Sequence, residues 1–128
     1  MVKNIVKKIM LLGLAAVLAA GSYMSVLAAV KFNVTEPSLA RLGVENYVVS
    51  GSASCSSDNS TSYYMVDRIY AFAYENNILK EYENYGYGYG VASAMTDSIK
   101  TRPAYRSNTG WYRNGTKLVE IDEKIIYN

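Results

Sequence analysis

Glu81 and Glu83 are the residues of this chain best spaced for chemistry. Two positions apart on a strand, their carboxylates share one face. A turn at Asn76-Asn77 would bring Glu75 across from them. Paired carboxylates flanking a bond are the apparatus of glycoside hydrolysis. Lys80 and the solvated face of a hairpin account for the same charges without catalysis, and charge on an exposed strand also discourages edge-to-edge association. The remaining inventory is thin. Histidine is absent from all 128 residues, which removes Ser/His/Asp and Cys/His nucleophilic schemes and most zinc and copper sites. No glycine loop followed by Lys-Ser or Lys-Thr is there to cradle a phosphate, and no calcium-loop spacing occurs. The expectation is a chain that is not an enzyme, with no catalytic residues, no metal ligands and no cofactor.

Tyrosine is unusually frequent, thirteen in all. Tyr85-Gly86-Tyr87-Gly88-Tyr89-Gly90 alternates strictly, so as a strand it sets three rings on one face and three glycines on the other. The glycines would let another backbone approach closely. Two meanings of the rings stay open. Tyrosine fills a thin core while its hydroxyl reaches water, and it is also a favoured contact residue. On the second reading Tyr85, Tyr87, Tyr89, Trp111 and Tyr112 form a candidate aromatic surface for sugar rings or a protein partner. Cys55 is the only cysteine, so no disulfide closes within the chain. It reads as a small strand residue in the core, with pairing between chains as the alternative.

Strands must position these side chains. From Val44 onward Tyr, Val, Ile and Thr dominate, turn residues recur, and no 3.6-residue apolar period persists. Asn114-Gly115 predicts a type I′ hairpin, with Arg113 opposite Thr116, Tyr112 opposite Lys117 and Trp111 opposite Leu118. Asn76-Asn77 predicts a second, joining Ile69–Glu75 to Ile78–Tyr85. Further strands are expected over Glu45–Ser56, Ser98–Arg102, Ala104–Ser107 and Ile121–Tyr127, with a polar loop at Ser57–Ser60. Glu36 to Gly43, with Pro37 near its start and Gly43 at its end, suggests one or two helical turns. The fold class is all-β: a single small antiparallel β-sandwich, immunoglobulin-like or jelly-roll-like, over residues 44–128, after a lead-in over 30–43. An open barrel is the runner-up.

Residues 1–29 read as a secretory signal peptide: Lys3, Lys7 and Lys8, an apolar helical run over Ile9–Ala20, and small residues for cleavage after Ala28 or Ala29. Retention as an anchor is the rival, since Ile9 to Val30 could span a bilayer. Cleavage would place the protein outside the cell, touching membrane only through the signal. Without those three lysines, thirteen basic residues become ten against eleven acidic ones. A near-neutral chain lacks the clustered positive charge that nucleic-acid binding requires.

Val49-Ser50-Gly51-Ser52-Ala53, Val66-Asp67-Arg68-Ile69-Tyr70, Ala104-Tyr105-Arg106, Gly115 and Glu120 together resemble a family of small secreted proteins of Gram-positive bacteria. That resemblance implies a signal peptide plus one β-sandwich with no assigned activity. Where the family carries a tryptophan and a histidine, this chain has Tyr82 and Trp111. Gly88-Tyr89-Gly90-Val91-Ala92-Ser93-Ala94 is similar to a stretch that opens the lactococcin-972-like bacteriocins, exported β-sandwiches acting at the cell wall. Two functional expectations result. One is a non-catalytic protein binding cell-wall polysaccharide or a surface protein through its tyrosines. The other is a bacteriocin-like toxin acting at the envelope of competing bacteria.

Overall fold

Between Tyr64 and Glu75 the chain alternates with period two, and that stretch becomes the strand around which the molecule is organised. Met65, Ile69, Ala71 and Ala73 are buried on one face, while Tyr64, Arg68, Tyr70, Phe72 and Tyr74 line the other. The structure is a computed structural model describing residues 30–56 and 63–128. The expected signal peptide, residues 1–29, and the expected loop at Ser57–Ser60 lie outside the described residues.

Among the described residues every regular element is a strand: β1 (Lys31–Val34), β2 (Ser38–Leu42), β3 (Asn46–Ser56), β4 (Tyr64–Glu75), β5 (Ile78–Tyr89), β6 (Val91–Met95), β7 (Tyr105–Asn114) and β8 (Lys117–Tyr127). They form two antiparallel sheets packed face to face, a small β-sandwich. One has the order β5-β4-β7-β8. In the other, β3 pairs with β6 along one side and with β1 and then β2 along the other.

Turn chemistry sets the registers. Asn76 and Asn77 both hold positive φ, 53° and 63°, so the expected hairpin joins Glu75 to Ile78 directly. The second hairpin departs from expectation. Asn114 pairs with Lys117, Arg113 with Leu118 and Trp111 with Glu120, so the loop residues are Gly115 and Thr116. Only Gly115 has positive φ there, the pattern of a glycine-first turn rather than type I′. A bulge between Gly110 and Trp111 then lets Ile121 turn into the core. Between β5 and β6 the chain crosses from one sheet to the other at Gly90, whose φ is +78°. Gly86 makes the crossing feasible, because a Cβ there would fall on the Ser93 carbonyl oxygen.

Three expectations are corrected. The helical turns over Glu36–Gly43 do not form; β2 occupies the segment, because a one- or two-turn helix is marginal whereas pairing with β3 satisfies the backbone and half-buries Leu39. The sandwich therefore begins at Lys31, not at residue 44. Ser98–Arg102 is no strand: Ile99 makes a single bridge to Tyr47 and plugs the core there.

The core is split in two. Val34, Ala53, Met65, Ala92, Tyr112 and Ile121 form one cluster, with Cys55 half-buried against it. Val49, Ile69, Ala71, Ala73, Ala94 and Ile99 form the other. Between them lie Asp67 and Asn108, both fully buried.

Candidate functional site

The outer face of the four-stranded sheet is where the aromatic side chains collect. Cross-strand partners share a face, so the register places Tyr89, Tyr87 and Tyr85 of β5 beside Tyr64, Val66 and Arg68 of β4. Farther along, Tyr70, Phe72 and Tyr74 of β4 join Tyr105 of β7 and Tyr127 of β8 on the same face. Tyr85, Tyr87 and Tyr89 are 47%, 62% and 70% exposed, and Tyr127 is 72%. Burial in the sandwich core does not explain rings this open.

The rings gather into two groups. At one end Tyr64 lies 6.4 Å from Tyr87 and 5.4 Å from Tyr89, Tyr85 and Tyr87 stand 6.5 Å apart at 15°, and the Arg113 guanidinium sits 4.2 Å from the Tyr64 centroid. At the other, Phe72 and Tyr105 stack at 5.2 Å, and Tyr105 meets Tyr70 at 5.8 Å and Tyr127 at 5.1 Å. Tyr64 and Phe72, one in each group, are eight residues apart on one strand, roughly 26 Å, whereas Tyr85 and Tyr70 are diagonal neighbours in the β4–β5 register. A polar belt crosses between them. In it Arg68 donates to Glu83, Thr109 donates to Glu123, and the Tyr70 hydroxyl donates to Glu81 at 2.6 Å. Burial, and then that bond to Glu81, push the Tyr70 phenol up to about 12.

The sequence-predicted residues divide. Tyr85, Tyr87 and Tyr89 point outward together, and Trp111 is half-buried on the same face, opposite Val66 and Glu120. Tyr112 does not belong to this surface. Adjacent strand residues face opposite ways, so with Trp111 outside Tyr112 turns into the core, where it stacks on Phe32 at 4.2 Å and meets Tyr63 at 5.5 Å. The carboxylates divide too. Glu81 and Glu83 are exposed and share the outer face, each held by a β4 side chain. Glu75 is buried on the inner face, where it accepts from the Tyr82 hydroxyl at 2.6 Å and lies 3.7 Å from Lys80. Donation from Tyr82 holds the Glu75 carboxyl below its usual range against the opposing effect of burial. The three acids are therefore never brought to one cleft. Among the described residues no group of three His, Cys, Asp or Glu side chains could hold a metal ion.

Reading the sequence missed half of the surface: Tyr64, Tyr70, Phe72, Tyr74, Tyr105 and Tyr127. The signal was present in the alternate positions of Tyr64 to Tyr74. Apolar residues on both faces masked it, since they read equally as a strand buried on both sides. No family model, curated protein or solved structure matches the chain.

Proposed function

We propose that this chain is an exported, non-catalytic binding protein whose aromatic sheet face holds cell-wall polysaccharide. The observation that carries the reading is the concentration of exposed rings on one sheet face, outside a core that is filled without them. Saturated sugar rings offer C–H faces to flat aromatic rings, and their hydroxyls suit the carboxylates and guanidinium of the intervening belt. A ringed face running roughly 26 Å along β4 from Tyr64 to Phe72 favours an extended polymer over a small molecule. An exposed apolar patch on this scale marks an interaction surface. The basic and apolar start of the chain supports export.

Retention on purified peptidoglycan tests the reading. Changing Tyr85, Tyr87 and Tyr89 together to Ser removes one platform and leaves the inward-facing core untouched. The wild type is expected to sediment with the wall fraction and the folded triple variant to stay in solution. Equal retention of both would overturn the assignment.

A further inference from the structure

The two sheets close most tightly around Asp67 and Asn108. Asp67 on β4 lies opposite Gly86 of β5 on one side and Gly110 of β7 on the other. A Cβ on Gly110 would overlap Ala53 and Val34 of the facing sheet, and one on Gly51 would land on the Asn108 amide. The absence of side chains there seals both polar groups at 0% exposure. Asn108 uses its amide N–H groups fully: Nδ2 donates to the Thr35 carbonyl at 3.0 Å and to the Ser52 carbonyl at 3.1 Å, tying β7 to the opposite sheet. Three buried oxygens are left without a donor, the two of Asp67 and Oδ1 of Asn108.

Buried oxygens of this kind repel one another, and an isolated carboxylate in such a place costs several kcal/mol. One proton removes the conflict. Carried by Asp67, it turns an acceptor into an O–H donor toward the neighbouring Asn108 side chain. We infer that Asp67 is a neutral carboxylic acid whose proton is donated to Asn108 Oδ1, forming a proton-dependent latch between the two sheets beneath the aromatic face.

The surroundings agree. Burial is the leading influence on this carboxyl and pushes it up to about 7, against smaller opposing effects of Asn108 and the Ala94 backbone. On the same inner sheet face the ionisable groups are Arg106, Tyr112, Lys117, Asp122 and Lys124 of β7 and β8 and, toward the Asn76-Asn77 turn, Glu75, Lys80 and Tyr82 of the β4–β5 hairpin. Arg106 donates to the Pro37 carbonyl at 2.9 Å, Lys124 lies 3.3 Å from Asp122 and Lys80 3.7 Å from Glu75, and among the described residues no cation forms an ion pair with Asp67. The other sheet packs Val34, Val49, Gly51, Ala53, Ala92 and Ala94 against this region, with the Thr35 hydroxyl 3.3 Å from Asn108 Nδ2 and Cys55 at the edge of the cluster.

A folded state that keeps this proton beyond the ordinary aspartate range is stabilised in acid and loses that stability as pH rises through about 7. Asp67→Asn keeps a donor toward Asn108 at every pH. The difference in melting temperature, wild type minus Asp67→Asn, is expected to fall by roughly 10 °C or more between about pH 4 and pH 8. Melting curves of the two proteins that shift in parallel with pH would overturn the latch. Should Asp67→Asn fail to fold, the carboxyl-carbon resonance of Asp67 in the wild type decides. A titration midpoint near 7 supports the latch; one in the ordinary aspartate range refutes it.

Discussion

Tyr82 and Glu75 show how one residue's environment depends on which face it occupies. Both lie on the inner face of the β4–β5 hairpin, and the Tyr82 phenol, pushed up to about 12 by burial and then by Glu75, remains a donor across the whole working range. Removing that donor should cost about 1–2 kcal/mol, because Glu75 stays buried with its closest hydrogen-bond donor gone. Chemical denaturation of Tyr82→Phe measures this. The pH response has a definite sign. Glu75 is held below its unfolded value, so its contribution is present above the ordinary carboxylate range and is lost as pH falls through the folded value. Tyr82→Phe should therefore lose less stability than the wild type on acidification, and an unchanged acid limb would refute that link. Of the residues that matter, the tyrosine stripe was legible because alternation is a local property. Asp67 was not, because nothing in its neighbours' types announces that two glycine-lined strands will close over it.

At the scale of elements, turn chemistry carries the argument. The Asn76-Asn77 turn holds two non-glycine residues at positive φ, where asparagine is tolerated and glycine is easier. Asn77→Gly should raise stability by about 0.5 kcal/mol and Asn77→Ala should lower it by about 1 kcal/mol, read as shifts in denaturation midpoint. The β5–β6 crossing makes a harsher prediction. Gly86→Ala places a methyl group on a backbone carbonyl that cannot rotate aside, so a loss of roughly 3 kcal/mol is expected. A variant as stable as the wild type would mean that the crossing is looser than described. Element boundaries were partly legible. Glu45–Ser56 and Ile121–Tyr127 fall almost wholly within β3 and β8, whereas β1, β2 and β6 were missed or misread. Those three are short, and their extended form follows from pairing with β3 rather than from their own composition.

For the whole molecule, the sandwich leaves one broad aromatic surface on a body without internal disulfides. If rings rather than charges hold the ligand, wall retention should survive about 1 M NaCl, where exposed ion pairs are screened within a few ångströms. Elution by salt alone would transfer the binding to Arg68, Arg113 and the acidic side chains. The sequence by itself determined the fold class, the absence of histidine chemistry, the Asn76-Asn77 turn and the outward row of Tyr85, Tyr87 and Tyr89. These rest on residue type and on a two-residue period, both readable from neighbours along the chain. Only the tertiary structure decided that β4, β7 and β8 extend that row into a surface, that Tyr112 belongs to the core, and that Asp67 meets Asn108 in a sealed waist. Strand order and register bring together residues tens of positions apart, and no local pattern encodes which face a distant strand will share.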